Sequence, residues 1–280
     1  MRKKIGWSLV LVILLILGGC GQRTKASDEG KIIIGSLGSD AEIWQYIAKS
    51  DAAKKAGLNI EVQDINDGVA LNTATADKKV DVNAFQSYSY LVSFNKDSKS
   101  KLIPIATTYL EPMGIYSSKI KKIKEVPNHA VVALADNPAN AARGLKLLAA
   151  AGLITLKSDF DSGIGSTADI VSNPKNLVFK LIDDKTGPRV LKDVDLATIG
   201  NTIALEGGLN VLKDAIYYEK VEAGTKENIN ILATASSNKN NKKLKKLAKL
   251  YHSSEVKAYI KKHFAGTKVD VNQPISYLSN

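Results

Sequence analysis

Cys20 is the only cysteine in this chain of 280 residues. It follows a basic start at residues 2–4 and an apolar run over residues 7–17, with Gly18 and Gly19 directly before it. This three-part layout is typical of a secretory signal peptide, and the apolar run is well short of the roughly 20 residues that cross a bilayer. An exported chain with one cysteine cannot form an internal disulfide, so its fold has to be stabilised by a hydrophobic core.

The segment Leu17-Gly18-Gly19-Cys20 resembles the bacterial lipobox, in which the cysteine takes a diacylglyceryl group and a peptidase cuts just before it. We therefore predict a signal peptide over residues 1–19 and a lipid on Cys20, which anchors the chain on the extracytoplasmic face of the cell membrane. Two or three acyl chains anchor stably, whereas one alone is marginal. Residues 20–30 are predicted to be the lipidated cysteine and a flexible tether, because 21–30 are polar and lack periodicity.

The charge of the chain argues against one class of partner. The formal net charge is +11, and residues 1–19 hold three basic and no acidic residues, so the chain that begins at Cys20 carries +8. This charge suits a protein near anionic headgroups or cell-wall polymers. Nucleic acid is not an expected partner, because the chain carries an export signal and its 39 basic residues are diluted by 28 acidic ones.

After Lys31, short apolar runs alternate with helical patterns, which is typical of an α/β fold with mainly parallel sheets. Ser39-Asp40-Ala41-Glu42 matches a capping box and predicts the start of the first helix. Val80-Asp81-Val82 and Val194-Asp195-Leu196 each follow a helical stretch, and this internal echo agrees with two similar lobes. Further strands are predicted over 32–34, 58–62, 80–85, 103–109, 114–117, 130–135, 177–182, 195–199 and 229–235.

The sequence contains no recognisable catalytic or metal-binding motif. It has no Gly-x-Ser-x-Gly elbow and no pair of histidines at zinc-ligand spacing. Gly163-Ile164-Gly165-Ser166-Thr167 lacks the lysine and the spacing of a phosphate loop. We therefore expect no enzyme activity, no catalytic residue, no metal and no cofactor.

Four segments together resemble the NlpA/MetQ lipoprotein family, and they occur in the family order. They are Val80-Asp81-Val82-Asn83-Ala84-Phe85-Gln86, Glu111-Pro112-Met113-Gly114-Ile115-Tyr116-Ser117, Asn137-Pro138-Ala139-Asn140-Ala141-Ala142-Arg143 and Ser172-Asn173-Pro174-Lys175-Asn176-Leu177. The resemblance implies a periplasmic-binding-protein-like fold of type 2, in which two α/β lobes enclose a ligand cleft. It also implies the substrate-binding component of an ABC importer, typically for methionine, with an ABC permease and its ATPase as partners.

The resemblance sets the expected lobes and ligand. Lobe 1 is predicted to comprise residues 31–108 and 202–280, and lobe 2 residues 109–201, with hinges near 107–112 and 199–201. The expected ligand is an amino acid, either methionine or a related or larger derivative. Hinge closure around a small ligand is the common plan of such two-lobed proteins.

The resemblance also implies which residues form the pocket. Phe85 and Tyr90 are expected to form an aromatic wall, Arg143 to bind the ligand carboxylate, and Asn201 to lie near the group that holds the ligand amino group. Asn140 helps to start the helix that carries Arg143 and belongs to the same set. From the residues alone, a core position for the two aromatic residues and a solvated position for the arginine remain open alternatives.

The chain departs from the family pattern at four positions that bear on the ligand. Ser87 stands where the family has histidine, Gly68 where it has an aromatic residue, and Gly200 and Ile203 where it has asparagine and tyrosine. These departures predict a wider pocket that binds methionine more weakly or takes another ligand.

Other interpretations follow from the same departures. Tyr88 or Tyr109 could fill the space that the smaller residues leave. A surface adhesin without a transport role would be consistent with the altered pocket and the charge of +8. A surface enzyme has no motif in its support.

Overall fold

The computed structural model describes residues 30–220 and 223–278, and residues 31–280 form one compact unit. The predicted signal peptide, Cys20 and the tether up to residue 29 lie outside the described residues. Among the residues that are described, no helix is long and apolar enough to cross a membrane.

The first sheet has a parallel centre. β1 (Lys31–Ser36) pairs in parallel with β2 (Asn59–Asp64) on one side and with β3 (Val82–Ser87) on the other. The late strand β13 (Asn230–Ala235) lies antiparallel between β3 and β4 (Leu102–Thr107), which gives the order β2-β1-β3-β13-β4. The predicted return of this late run to the first unit is confirmed.

The helices of this half each bury part of their surface. They are α1 (Gly38–Lys49), α2 (Asp51–Lys55), α3 (Gly68–Ala76), α4 (Tyr88–Ser98), α9 (Lys242–Tyr251) and α10 (Ser254–Phe264). Leu244 and Leu247 of α9 enter the core while the lysines between them are exposed, because residues three and four apart share a helix face. The predicted capping box is wrong, since α1 begins at Gly38 and no side chain caps it.

The second sheet has the order β10-β7-β11-β6-β12. Its strands are β6 (Gly114–Tyr116), β7 (Val131–Ala135), β10 (Val178–Ile182), β11 (Leu196–Ile199) and β12 (Tyr217–Tyr218). β7 is parallel to β10 and β11, whereas β6 is antiparallel to β11 and β12. The helices of this half are α5 (Pro138–Ala150), α6 (Gly187–Val190), α7 (Asn201–Glu206) and α8 (Val211–Asp214). The predicted pair of α/β lobes is confirmed.

Two short strand pairs complete the fold. β5 (Tyr109–Leu110) pairs with β14 (Val269–Asp270), so the chain stays with the first lobe until residue 110. β8 (Thr155–Leu156) pairs with β9 (Ile170–Ser172) in the second lobe.

The chain crosses between the lobes twice, and the second crossing lies later in the sequence than predicted. β12 pairs with β6, and Ala204 and Val211 pack in the core of the second sheet, so lobe 2 extends to Tyr218. The assignment of residues 202–218 to lobe 1, with a hinge at 199–201, is therefore wrong. The first crossing, Glu111–Met113, overlaps the predicted hinge at 107–112.

The two crossings are joined to each other. Glu219 N donates a hydrogen bond to Met113 O at 3.0 Å, and Met113 N donates to the Glu219 carboxylate at 2.8 Å. The connection between the lobes is thus a pair of hydrogen-bonded segments instead of two independent linkers.

An aspartate holds the start of the central strands in each lobe. The Asp81 carboxylate accepts a hydrogen bond from Ile33 N at 2.8 Å, and Asp81 N donates to Ile33 O at 2.9 Å. Asp195 makes the same pair of contacts with Val131, at 2.8 Å and 2.9 Å. The echo between the two halves of the sequence therefore marks the same local structure in both lobes.

Candidate ligand site

A cavity of about 140 Å³ lies between the lobes, beyond the carboxyl ends of the parallel strands. In open α/β sheets this is where ligands bind. Six of the eight predicted ligand-binding residues line it, and Asn201 and Tyr109 do not. The lining consists of Leu37, Gly68, Phe85, Gln86, Ser87, Tyr90 and Asn230 of lobe 1, and Glu111, Asn140, Arg143, Asp184, Lys185, Gly200, Thr202 and Ile203 of the crossover and lobe 2.

Phe85 and Tyr90 form the aromatic wall, with their ring centroids 5.6 Å apart in an edge-to-face arrangement. The two rings occupy the space beside Gly68, where an added Cβ would lie 2.6 Å from Tyr90 Oη and 2.9 Å from Phe85 Cε2. A wider pocket at Gly68 stays a prediction, because Gly68 also lines a second cavity of about 580 Å³. Gly200 does face open space, because no heavy atom lies within 4 Å of a Cβ built there.

Ser87 positions the wall. Its Oγ accepts a hydrogen bond from Tyr90 N at 3.2 Å and caps the start of α4, and it lies 3.0 Å from Ser89 Oγ. The hydroxyl is thereby already engaged within the chain, and its effect on the cavity is to fix where α4, and with it Tyr90, begins.

A buried amide network supports the wall from behind. Gln86 Nε2 donates to Asn72 Oδ1 and to Asn83 Oδ1, at 2.7 Å each, and Asn72 Nδ2 donates to Gln86 Oε1 at 2.9 Å. Asn83 Nδ2 also donates to Thr75 Oγ1 at 2.7 Å. These side chains join α3 to β3, so the polar residues that flank Phe85 in the sequence serve to hold its strand.

Arg143 is a buried cation at the other end of the cavity, with 8% of its surface exposed. Nε and Nη2 donate to the two Glu219 oxygens at 2.8 Å and 2.5 Å, and Nη2 also donates to Glu111 O at 2.7 Å. Burial lowers the pKa of Arg143, but Glu219 outweighs burial and the pKa lies above its usual value. Nη1 makes no hydrogen bond to any described residue.

Glu111 belongs to the same end of the cavity but is neutralised by the protein. Its carboxylate accepts hydrogen bonds from Lys268 Nζ at 2.9 Å, Asn201 Nδ2 at 2.8 Å and Thr202 Oγ1 at 3.0 Å. Burial raises the pKa of Glu111, but Lys268 and Asn201 outweigh it and hold the pKa below its ordinary value. Asn201 thus acts behind the cavity wall, where its Oδ1 has no partner among the described residues.

Tyr109 is also placed behind the wall. It is buried beneath Lys268, whose Nζ lies 4.1 Å from the ring centroid, and its hydroxyl donates to Asp40. Tyr88 packs in a separate apolar core with Leu91. Neither tyrosine fills the cavity, so the expectation that one of them would do so is wrong.

Asp184 lines the cavity although it was not among the predicted ligand-binding residues, since the pair Asp183-Asp184 is typical of a solvated loop in the sequence. Asn140 Nδ2 donates to Asp184 Oδ2 at 2.6 Å. Burial raises the pKa of Asp184 to about 6. Asp136 and Asp183 raise this pKa further, whereas the hydrogen bond from Asn140 lowers it.

Asn230 is a second cavity residue that was not predicted from the sequence. It lines the cavity, and its side chain makes no hydrogen bond to a described residue.

Two larger cavities adjoin this one. One of about 360 Å³ lies on the far side of Arg143, between α5 and the segment after β12, and has no aromatic wall from lobe 1. The other, of about 580 Å³, continues past Gly68 and Tyr90 and shares Asp184 and Lys185 with the first. We assign the ligand site to the first cavity because it alone among the three joins Phe85 to Arg143. Within the described residues no group of three or more His, Cys, Asp or Glu could hold a metal ion.

A sequence profile of the NlpA lipoprotein family matches residues 32–272. The chain belongs to the NlpA lipoprotein family. The resemblance found in four short segments is thereby confirmed over most of the chain.

Named relatives and solved structures show which proteins of known name or structure this chain is similar to. The D-methionine-binding lipoprotein MetQ of Escherichia coli (strain K12) is 36% identical over 266 residues, which cover 92% of this chain and 94% of that protein. The uncharacterized lipoprotein YhcJ of Bacillus subtilis (strain 168) is 32% identical over 280 residues, which cover 100% of this chain and 98% of that protein. A nutrient binding protein from Burkholderia cenocepacia, solved bound to methionine, is 38% identical with a TM-score of 0.81 and covers 85% of this chain and 99% of that chain.

Proposed function

We propose that this NlpA-family lipoprotein is the solute-binding protein of an ABC importer and holds an amino acid, methionine or a related derivative, between its lobes. One observation carries the proposal: a single cavity joins an aromatic wall on lobe 1 to a buried arginine on lobe 2. The rings suit an apolar side chain, and the permanently charged guanidinium suits a carboxylate. No chemistry is performed on the ligand.

The relatives support this ligand class. The Escherichia coli relative is named for D-methionine binding, and the Burkholderia relative was solved with methionine bound. They do not favour the adhesin alternative. The departures at Gly200 and Ile203 leave the fine choice among methionine-like ligands to be measured, since both positions line the cavity.

Isothermal titration of the lipidated protein in detergent against the twenty amino acids and D-methionine tests the proposal. We expect saturable binding of methionine or an amino acid of similar size. Arg143→Lys should weaken binding by about 10- to 150-fold, because a point charge replaces a planar fork and a charged hydrogen bond contributes roughly 1.5–3 kcal/mol.

Lys146→Ala is the matched control for this substitution. Lys146 lies on the same helix and pairs with Glu227 at 2.8 Å, outside the aromatic-walled cavity, so affinity should not change. A wild-type chain that binds no amino acid would remove the proposed function. Unchanged affinity in Arg143→Lys would remove the arginine from the site.

The proposed location has its own test. Lipid on Cys20 would hold the protein on the extracytoplasmic face, where tethering keeps the cleft concentrated near the permease and its ATPase. Cys20→Ala should leave the protein unprocessed or release it from the membrane fraction, with unchanged intrinsic ligand affinity. A variant that remains processed and membrane-bound would contradict the lipid anchor.

A further inference from the structure

Asp184 occupies a distinctive place in the cleft. Its side chain lies on the wall of the ligand cavity at the point where that cavity opens into the larger one of about 580 Å³. It follows β10 of lobe 2, and Asn140 Nδ2 fixes one of its oxygens at 2.6 Å. A half-buried carboxylate is therefore presented to the cavity in a defined position.

No cation among the described residues forms an ion pair with this carboxylate. The adjacent Lys185 directs its ammonium across the cleft, where it donates to Asn66 O and lies 3.9 Å from the Asp67 carboxylate. Asp136 and Asp183 add further negative charge around Asp184.

Glu111 provides the contrast within the same cavity. Lys268 lies 2.9 Å from its carboxylate, so Glu111 has its counter-charge within the chain. Among the described residues, the Asp184 carboxylate has only the amide of Asn140 as a hydrogen-bond partner. A half-buried carboxylate without a counter-ion is costly unless a cation binds to it, so the cavity favours a ligand that carries one.

The position of Asp184 relative to Arg143 fits one kind of cation. Asn140, which holds Asp184, and Arg143 lie three residues apart on α5 and so on one face of the helix, with Cβ atoms about 5–6 Å apart. An anion-binding group and a cation-binding group thus line the same cavity. The ammonium and carboxylate of an amino acid are joined through a single carbon, so one such ligand presents both charges to this cavity.

We propose that Asp184 binds the ammonium group of the ligand and makes the pocket selective for molecules that carry that group next to a carboxylate. The inference rests on the proposed function and adds the group that recognises the amino end. Asn230 lies in the same cavity and supplies a neutral amide acceptor, whereas Asp184 supplies the charge.

Isothermal titration with two probes tests the inference, namely L-methionine and 4-(methylsulfanyl)butanoate, which lacks only the ammonium group. Wild-type protein should prefer L-methionine by at least 10-fold. Asp184→Asn should lose about 10- to 150-fold in affinity for L-methionine, the range for one charged hydrogen bond, and should bind the desamino probe within about threefold of wild type.

Asp97→Asn is the matched control, because it removes one exposed carboxylate on α4 and leaves the ligand cavity unchanged. It should retain the wild-type preference. Full retention of that preference in Asp184→Asn, or an equal loss for both probes, would overturn the inference while the proposed function stands. A wild-type chain that binds neither L-methionine nor any other amino acid would overturn both.

Discussion

At the scale of single residues, Asp184 shows how a binding role conflicts with stability. Burial raises its pKa from 3.8 to about 6, so the folded protein holds this proton more tightly than the unfolded chain does. The free energy of unfolding therefore falls as pH rises from about 4 through 6, and stays lowered above that range. Asp136 and Asp183 reinforce this effect and Lys185 opposes it.

Asp184→Asn should consequently stabilise the ligand-free protein at pH 8 and have little effect at pH 4. A gain of about 1–2 kcal/mol is expected at pH 8, after allowance for the solvent that screens a half-buried group. Urea unfolding at the two pH values measures it. Equal stability of variant and wild type at pH 8 would show that burial of the ionised carboxylate does not destabilise the fold.

Residue-level prediction from the sequence depended on motifs. Phe85 and Arg143 lie in segments with a family signature, and both line the cavity. Asp184 and Asn230 lie outside those segments, and their place in the cleft follows only from the way the two lobes meet. Asn201 does not line the cavity, because it begins α7 and its side chain is turned toward Glu111.

At the scale of elements, the amide network fixes β3 against α3 and thereby sets the position of the aromatic wall. Each of Asn72, Asn83 and Gln86 has at least two side-chain hydrogen bonds within the network. Such a network stabilises one arrangement when every member is satisfied, and it becomes costly when one partner is removed. The position of Phe85 thus depends on polar residues of which only Gln86 lines the ligand cavity.

Asn83→Leu should destabilise the protein by about 3 kcal/mol, because it removes one hydrogen bond from each of the buried side chains of Asn72, Gln86 and Thr75. Ligand affinity should fall as well, because the strand that carries Phe85 loses its anchor. Thr73→Val, on the exposed face of α3, is the control and should change stability by less than about 0.5 kcal/mol. Urea unfolding and isothermal titration measure the two effects, and a wild-type stability for Asn83→Leu would contradict the role of the network.

Element prediction succeeded where an apolar run forms a buried strand and failed where tertiary contacts decide the structure. The runs for β1, β3, β7 and β13 were found because each is buried. β12 was missed because it has only two residues, Tyr217–Tyr218, and with it the true end of lobe 2. The capping box failed because α1 begins at Gly38 with Leu37 as its N-cap, so Ser39 lies inside the first turn, where its hydroxyl donates to Thr202 Oγ1 at 3.4 Å.

At the scale of the whole molecule, Lys268 joins three distant parts of the chain. Its Nζ lies 3.1 Å from Asp40 on α1 and 2.9 Å from Glu111 at the first crossover, and its side chain is fully buried. Burial lowers the pKa of Lys268, but the two carboxylates outweigh it and raise the pKa above its ordinary value. Burial raises the pKa of Asp40 more than Lys268 lowers it. Asp40 and Glu111 thus share one buried cation.

Lys268→Met should destabilise the protein by about 3–5 kcal/mol at neutral pH, because two carboxylates stay buried without a cation. The loss should shrink in acid as Asp40 and Glu111 take up protons. Lys257→Met, which breaks a surface pair with Asp270, is the control and should cost at most about 1 kcal/mol. Thermal unfolding between pH 4 and pH 8 measures both, and a loss that does not vary with pH would contradict the electrostatic explanation.

The bonds from Arg143 to both crossings bear on the order of events when a ligand arrives. Any rotation of one lobe against the other bends the chain at Glu111–Met113 and after Tyr218, so the rotation axis passes near these segments. Arg143 is tied to both, through Glu111 O and Glu219, and a group near an axis moves less than one at the rim. The ligand would then be caught by its carboxylate first and enclosed by the rings of lobe 1 second. Substitutions in the aromatic wall should then change the dissociation rate of the ligand more than its association rate.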